Sequence, residues 1–134
     1  MATCVIMNGS EDLSMNKTAI LTDSSCDIPQ ELADKYGIDI MSFHIMLDGV
    51  DYLERVSCTN EEFYGLMRKA KGVPSTAAIT PLQFCEKYCQ YVDEGYTDLV
   101  HICINRSGSS TYDNAVIAQG MLREERPEHK MKIH

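Results

Sequence analysis

Hydrophobic and polar positions along the chain follow two alternating periods, which predicts strands and helices in turn. Short runs rich in β-branched and apolar residues predict strands at 18–22, 38–47, 97–104 and 130–134. Apolar residues at helical spacing predict helices at 29–36, 60–70, 81–95 and 109–125. Strands that alternate with helices favour right-handed crossovers. We therefore predict an α/β fold with a mainly parallel sheet and helices on both faces.

Several element boundaries carry local signals of their own. Gly37 is a natural end for the first helix, and Asp48 with Gly49 is the short-range signal for a β-hairpin. Capping-box patterns predict the starts of the second and third helices, at Thr59 with Glu62 and at Thr80 with Gln83. These residues predict where elements begin and end without reference to the rest of the fold.

The first residues of the chain differ from the remainder. Residues 1–17 lack a sustained period and are typical of a leader, a tag or a loosely ordered extension. A length of 134 residues favours one domain, and 44% hydrophobic with 24% charged residues is the composition of a globular protein. We therefore expect one α/β domain at 18–134.

The charge of the chain narrows the classes of partner. A formal net charge of −8 argues against binding to nucleic acid or to anionic lipid surfaces, because both would be repelled. No apolar stretch approaches the roughly 20 residues that a transmembrane helix needs, and Glu11 and Asp12 lie where a signal peptide would be apolar. We expect a cytoplasmic protein that binds a small ligand or another protein.

The six cysteines show neither a disulfide framework nor a C-x-x-C pair, which favours free thiols that pack as small hydrophobes. Cys85 and Cys89 would share a helix face, so half of a metal site is conceivable. Nothing beside them supplies two more ligands, and we expect no metal.

Three loops rich in Ser and Thr lie where a parallel sheet holds ligands, at 22–27, 73–80 and 105–112. Helix N-termini at such loops direct free N–H groups and partial positive charge toward an anion. Helix capping alone explains one hydroxyl per loop. The third loop exceeds that need, because it carries Ser107, Ser109, Ser110 and Thr111. This surplus favours an anion-binding site.

Two common phosphate and hydrolase motifs are absent from the third loop. No Gly-Lys-Ser/Thr follows at Walker spacing, which argues against nucleotide binding. The G-x-S-x-G pattern of a nucleophile elbow is missing around Ser109, and only His129 and His134 follow it, which argues against a hydrolase.

The three loops together resemble the amino-terminal half of the DegV family of bacterial fatty-acid-binding proteins. The first motif matches well, and the second departs from the usual pattern at Ala77, Ala78 and Ile79. The matching positions are Thr22, Asp23, Ser24, Asp27, Ile28 and Pro29, then Thr76, Thr80, Pro81 and Phe84, then Gly108, Ser109, Ser110, Thr111 and Tyr112.

The resemblance implies a carrier that is not itself an enzyme and that holds one long-chain fatty acid in an apolar tunnel between two domains. Thr76 and Ser109 would hydrogen-bond the carboxylate, with Ser110 and Thr111 as further candidates. The fatty acid is the bound ligand, no cofactor is implied, and a separate ATP-dependent fatty acid kinase would phosphorylate the carboxylate. The supporting loop residues would be Asp23, Ser24, Ser107 and Gly108.

A further expectation follows from the resemblance. The family continues beyond the position of His134 with another strand and a second domain, so we expect apolar tunnel residues to be exposed here and to drive formation of a homodimer.

The alternative function is an anion-binding or protein-interaction module without lipid, in which the same hydroxyl loops hold phosphate, sulfate or an acidic side chain.

Overall fold

A computed structural model describes residues 16–134, and the first fifteen residues of the predicted leader lie outside the described part. Within residues 16–134, seven strands and four helices follow one another. The strands are β1 (Thr18–Asp23), β2 (Ile38–Met41), β3 (His44–Leu47), β4 (Val50–Leu53), β5 (Ser75–Ala77), β6 (Asp98–Ile102) and β7 (Lys132–Ile133). The helices are α1 (Gln30–Tyr36), α2 (Asn60–Lys69), α3 (Pro81–Asp93) and α4 (Thr111–Glu125), with a 3₁₀ turn at Ser24–Cys26.

Four strands form the parallel sheet that the sequence predicts. Their order is β2-β1-β6-β7, and each neighbouring pair is parallel. Because crossovers between parallel strands are right-handed almost without exception, this strand order puts α1 on one face of the sheet and α3 and α4, which pack against each other, on the opposite face. The predicted α/β class is confirmed.

The main core lies between this sheet and the α3–α4 pair. Alternate residues of a strand share a face, so Leu21 of β1 and Leu99 of β6 point to the same side. They meet Phe84, Tyr88 and Leu122 from the two helices, and all five side chains are fully buried. Burial of a large apolar side chain contributes about 1.5–3 kcal/mol, so this layer fixes the carboxyl ends of β1 and β6 relative to α4.

The structure corrects the predicted strand at 38–47. This run forms two strands, of which β2 joins the parallel sheet while β3 belongs to a second, antiparallel sheet of order β4-β3-β5. The chain leaves the first sheet at Phe43, whose N–H donates to Ser24 Oγ at 3.0 Å instead of to a neighbouring strand. A continuous apolar run does not reveal such a break, because both halves are suited to strands.

Strand β5 is absent from the sequence prediction, and its three residues are all exposed. It pairs with β3, with Thr76 opposite Ile45. The preceding loop is held by the hairpin turn, because the Asp48 carboxylate accepts hydrogen bonds from the N–H groups of Lys71 and Gly72, each at 2.9 Å. Tertiary contacts therefore form this strand in a segment that has little hydrophobic pattern of its own.

The predicted caps and turns are confirmed. Asp48 and Gly49 have φ of 48° and 82°, the left-handed pair that a two-residue hairpin turn requires. Both capping boxes form, at Thr59 with Glu62 and at Thr80 with Gln83. Gly37 ends α1 with φ of 62°. Among the helices of the described residues, none is long and apolar enough to cross a membrane.

Candidate functional site

Thr76 and Ser109 line the same cavity, although Thr76 lies in strand β5 and Ser109 lies in the loop between β6 and α4. The cavity has a volume of about 230 Å³ and lies between β5 and the loop that joins β6 to α4. Its remaining lining residues are Ser25, Phe43, Glu54, Ala78, Ile104 and Gly108. The side chains from the predicted second and third loops therefore converge on one space.

Asp23 joins the first loop to the third. Its Oδ1 accepts a hydrogen bond from the N–H of Ser25 at 3.1 Å, and its Oδ2 accepts one from the N–H of Ile104 at 2.7 Å. Asp23 is 1% exposed, and each of its carboxylate oxygens accepts a hydrogen bond from a backbone N–H group. The residue holds Ser25 and Ile104 at the cavity wall and does not itself line the cavity.

Ser24 connects the same loop to the second sheet. Its hydroxyl donates to the Glu54 carboxylate and accepts from the N–H of Phe43. The N–H of Glu54 in turn donates to the carbonyl of Phe43 at 2.9 Å. Ser24 is buried, and both of its partners, Phe43 and Glu54, line the cavity.

The four hydroxyls of the third loop have different environments. Ser109 Oγ lies 2.8 Å from Thr111 Oγ1 and accepts from the N–H of Thr111 at 3.2 Å. Thr111 is fully buried, and the Ser107 hydroxyl donates to Asn105 Oδ1 at 3.0 Å. Ser110 is exposed at the N-cap of α4 and makes no side-chain capping bond. Of the four, Ser109 alone is among the residues that line the cavity.

A contact from α4 aligns the segment that carries Thr76 with the third loop. Asn114 Nδ2 donates to the carbonyl of Ile79 at 2.8 Å. Ile79 is 2% exposed and belongs to the main core, so the chain between β5 and α3 is fixed against the first turns of α4. This contact lies three residues after Thr76 and five residues after Ser109, and it brings their segments together.

Glu54 is the cavity residue that the sequence analysis missed. It follows β4 immediately, outside all three hydroxyl loops, so neither a motif nor a hydrophobic period marks it. Its partner Ser24 does lie in a predicted loop, but only the pairing between distant segments reveals the contact. Among the described residues that line the cavity, Glu54 is the sole charged side chain, and no lysine or arginine is present.

A partly buried polar cluster lies at the end of β6. The Tyr88 hydroxyl is 2.7 Å from His101 Nδ1, and Cys103 Sγ is 3.4 Å from His101 Nε2. Burial lowers the pKa of His101 to about 4 and raises the pKa of the Cys103 thiol to about 11. At neutral pH the imidazole and the thiol are therefore uncharged, and Cys103 packs against the core to which Tyr88 belongs.

The cysteine pair on α3 is a packing feature. Cys85 is 3% exposed, and burial together with the neighbouring Cys89 raises the pKa of its thiol to about 11. Within residues 16–134, no group of three or more His, Cys, Asp and Glu side chains is placed to hold a metal ion.

Comparison with known proteins shows the family to which this chain belongs. The family model described as uncharacterised protein, DegV family, matches residues 17–134. A DegV domain-containing protein of Clostridium perfringens is 37% identical over 112 residues, which cover 83% of this chain and 39% of that relative. A similar relative from Caldanaerobacter subterraneus is 37% identical over 85% of this chain and 40% of its own length. The chain thus spans about two fifths of the length of these curated relatives.

Solved structures of similar fold include proteins described as fatty-acid-binding. A stearic-acid-binding protein of Eubacterium ventriosum superposes with a TM-score of 0.78 at 25% identity, over 90% of this chain and 41% of that one. A Thermotoga maritima protein, described as revealing a fatty acid binding function, gives a TM-score of 0.72 at 27% identity, over 89% of this chain and 41% of that one. By its family match and its curated relatives, this chain belongs to the DegV family.

Proposed function

We propose that this protein binds a long-chain fatty acid and that the hydroxyls of Thr76 and Ser109 donate hydrogen bonds to its carboxyl group. The observation that carries the proposal is their convergence on one cavity, Thr76 from strand β5 of the antiparallel sheet and Ser109 from the loop that follows β6 of the parallel sheet. Fatty acid binding by similar structures from Eubacterium ventriosum and Thermotoga maritima supports the ligand class.

The chemistry of the cavity suits a carboxyl head group. An ionised carboxylate is a pure acceptor, so hydroxyls and the N–H groups at the start of α4 can bind it without a lysine or an arginine. The α4 N-terminus adds partial positive charge. In this proposal Thr111 acts indirectly, because it bonds to Ser109 and thereby orients it. Ser110 does not line the cavity and makes no side-chain capping bond, so the proposal gives it no contact with the ligand.

The apolar side of the cavity is formed by Phe43, Ala78 and Ile104. These side chains are suited to contact the first methylenes of an acyl chain, whose transfer from water contributes about 0.8 kcal/mol per buried CH₂. Phe43 is 7% exposed and belongs to the main core, so it presents a rigid wall to the ligand.

Mass spectrometry of the denatured protein tests the ligand class directly. We expect co-purified long-chain fatty acids, and we expect palmitate to bind the delipidated protein in a fluorescence titration. Absence of any lipid, together with no palmitate binding, would overturn the proposal. Inorganic phosphate in place of lipid would favour the alternative anion-binding module.

Two alanine variants test the head-group contacts. Thr76→Ala and Ser109→Ala should each weaken palmitate binding by about 10- to 100-fold, because each removes one hydrogen bond to a charged group, worth about 1.5–3 kcal/mol. Ser75→Ala is the matched control, because Ser75 is exposed on the same strand and does not line the cavity. Equal affinities for all three variants and the parent would contradict the assigned roles.

We also propose that a separate fatty acid kinase phosphorylates the bound head group. A carboxylate oxygen attacks the γ-phosphorus of ATP, the bond to the bridging oxygen breaks, and ADP leaves as the acyl phosphate forms. The exposure of Thr76 supports access to this end of the ligand. Loaded protein, ATP and a bacterial fatty acid kinase should yield a hydroxamate after treatment with hydroxylamine. If no hydroxamate forms with this protein, while a known carrier gives hydroxamate in a parallel reaction, the proposed phosphorylation is refuted.

Self-association is a further part of the proposal. Large apolar side chains are exposed on and near α2, including Tyr64 at 59% and Val73 at 92%. Covering one such side chain contributes about 1.5–3 kcal/mol, so a second copy is a favourable partner. Light scattering after size exclusion should give the mass of a dimer, and a strict monomer at micromolar concentration would count against it.

A further inference from the structure

A groove open to solvent lies between α3 and α4, with a volume of about 710 Å³. None of the residues that line it also lines the head-group cavity, so an occupant of the groove would not block that cavity. On α3 the lining residues run from Leu82 to Asp93. That distance is three helical turns, about 16 Å. A trough of this length along a helix suits another helix of similar length.

The floor of the groove is apolar and partly open to water. Leu82 is 57% exposed, and Cys89 and Met121 are only partly buried against the core. Ile117 is 54% exposed and precedes Met121 by one turn of α4, so it extends the apolar surface along that helix. Helix α4 therefore presents apolar side chains to solvent as well as to the core, where a surface helix typically has one apolar face.

The rim of the groove is acidic. Glu86, Glu94 and Glu125 are exposed there, and none of them forms an ion pair within residues 16–134. Among the described residues that line the groove, Arg126 is the one cation. Its Nε and Nη2 bind Oδ1 and Oδ2 of Asp93, each at 3.0 Å, so it compensates that carboxylate. Three negative charges at the rim are left without a partner.

This charge selects among the possible occupants. A second copy of the chain that used the same face would bring these carboxylates opposite one another, and like charges across an interface disfavour the complex. An anionic lipid surface is disfavoured for the same reason. A partner with positive charge beside an apolar stripe complements both the rim and the floor.

We propose that the α3–α4 groove binds a basic amphipathic helix of a partner protein. Its apolar side chains, spaced i, i+3, i+4 and i+7, contact Leu82, Cys89 and Met121, and its lysines or arginines reach the glutamates of the rim. This inference goes beyond the proposed fatty-acid function and does not depend on it, because the two sites share no lining residue.

A synthetic peptide tests the groove directly. The probe is a labelled helix of about fourteen residues with leucines at this spacing and lysines on its other face. We expect a micromolar Kd by fluorescence anisotropy that rises with salt, and shifts of the amide resonances of α3 and α4 but not of Ser109. A peptide with glutamate for lysine, and one with serine for leucine, should each bind at least about tenfold more weakly. Absence of binding by the basic peptide, or equal binding by the serine peptide, would overturn the inference.

Variants of the protein test the assigned residues. Glu86→Lys combined with Glu125→Lys reverses two rim charges and should weaken binding of the basic peptide at least about tenfold while it strengthens binding of the glutamate peptide. Glu31→Lys combined with Asp34→Lys makes the same change of charge on α1, on the opposite face of the sheet, and should leave both affinities within about twofold of the parent. Unchanged affinity in the folded groove variant, checked by circular dichroism, would refute the role of the rim.

Leu82→Gln tests the apolar floor at an exposed position. It should weaken binding of the basic peptide about fivefold or more, because it removes apolar contact area without changing the charge. Light scattering of the same variant tests a second copy as the occupant. A dimer of the parent that Leu82→Gln converts to a monomer would show that the groove holds another copy of this chain, and the inference would be wrong.

Discussion

Asp23 Oδ2 accepts a hydrogen bond of 2.7 Å from the backbone N–H of Ile104, a residue 81 positions further along the chain. The contact joins the turn after β1 to the loop after β6, two strands that are neighbours in the parallel sheet. Because the other oxygen of the same carboxylate holds Ser25, one buried side chain fixes two walls of the cavity.

Asp23→Asn should destabilise the protein and distort the cavity. An amide at this position presents an NH₂ group to one of the backbone donors, which leaves a buried N–H unpaired at a cost of about 1–3 kcal/mol. Urea denaturation followed by circular dichroism measures the loss. Asp34→Asn, at an exposed position on α1, is the control and should change the free energy of unfolding by less than about 0.5 kcal/mol. Equal stability of Asp23→Asn and the parent would contradict the assigned role.

The two capping boxes should differ in their effect on stability. Thr80→Ala removes the cap of α3, which buries Phe84 and Tyr88, and should lower the free energy of unfolding by about 1 kcal/mol. Thr59→Ala removes the same cap from α2, which buries no side chain, so the loss should be confined to local fraying. Global denaturation together with hydrogen exchange of the α2 amides distinguishes the two. A larger global effect for Thr59→Ala would refute this account.

The partly buried imidazole of His101 should make stability depend on pH in the acid range. Burial lowers its pKa from 6.5 to about 4, so between these values the unfolded chain binds a proton that the native protein does not. The free energy of unfolding therefore falls by about 3 kcal/mol in total as the pH drops from 6.5 to about 4. Above pH 6.5 the stabilisation that comes from keeping His101 neutral is fully present.

A variant isolates this contribution from that of the carboxylates. His101→Gln keeps an amide oxygen that can accept from the Tyr88 hydroxyl but does not titrate. The difference in free energy of unfolding between parent and variant should shrink as the pH falls toward 4. Urea denaturation at a series of pH values measures it, and a difference that is constant across the series would rule out a neutral buried His101.

Asp48→Asn should loosen the loop that leads into β5. Asparagine tolerates the left-handed backbone at this position, but it loses one of the two acceptors for the N–H groups of Lys71 and Gly72. We expect faster hydrogen exchange of those amides and a global loss of about 1 kcal/mol. Asp51→Asn, on the exposed face of the next strand, should leave their exchange unchanged. If both amides exchange as slowly in Asp48→Asn as in the parent, the proposed role of the Asp48 carboxylate is refuted.

Local chemistry made the helix ends and the hairpin turn predictable. Gly37, the Asp48–Gly49 pair and the two capping boxes act over three or four residues, so the sequence states them directly. The break at Phe43 and the pairing of β5 with β3 depend on partners elsewhere in the chain, namely Ser24 and Ile45. The hydrophobic pattern within either segment reveals neither the break nor the strand pairing.

The sequence by itself determined the α/β class, the helix caps, the hairpin turn and the loops that border the cavity, because hydrophobic period and capping are properties of neighbouring residues. The tertiary structure decided which hydroxyls share a space. It brought Thr76 to Ser109, sent Thr111 into the core and added Glu54, which no motif marks. The physical reason is that a binding site is a set of distances between segments, and those distances are fixed only when the buried layer of Leu21, Phe84 and Leu99 packs the sheet against its helices.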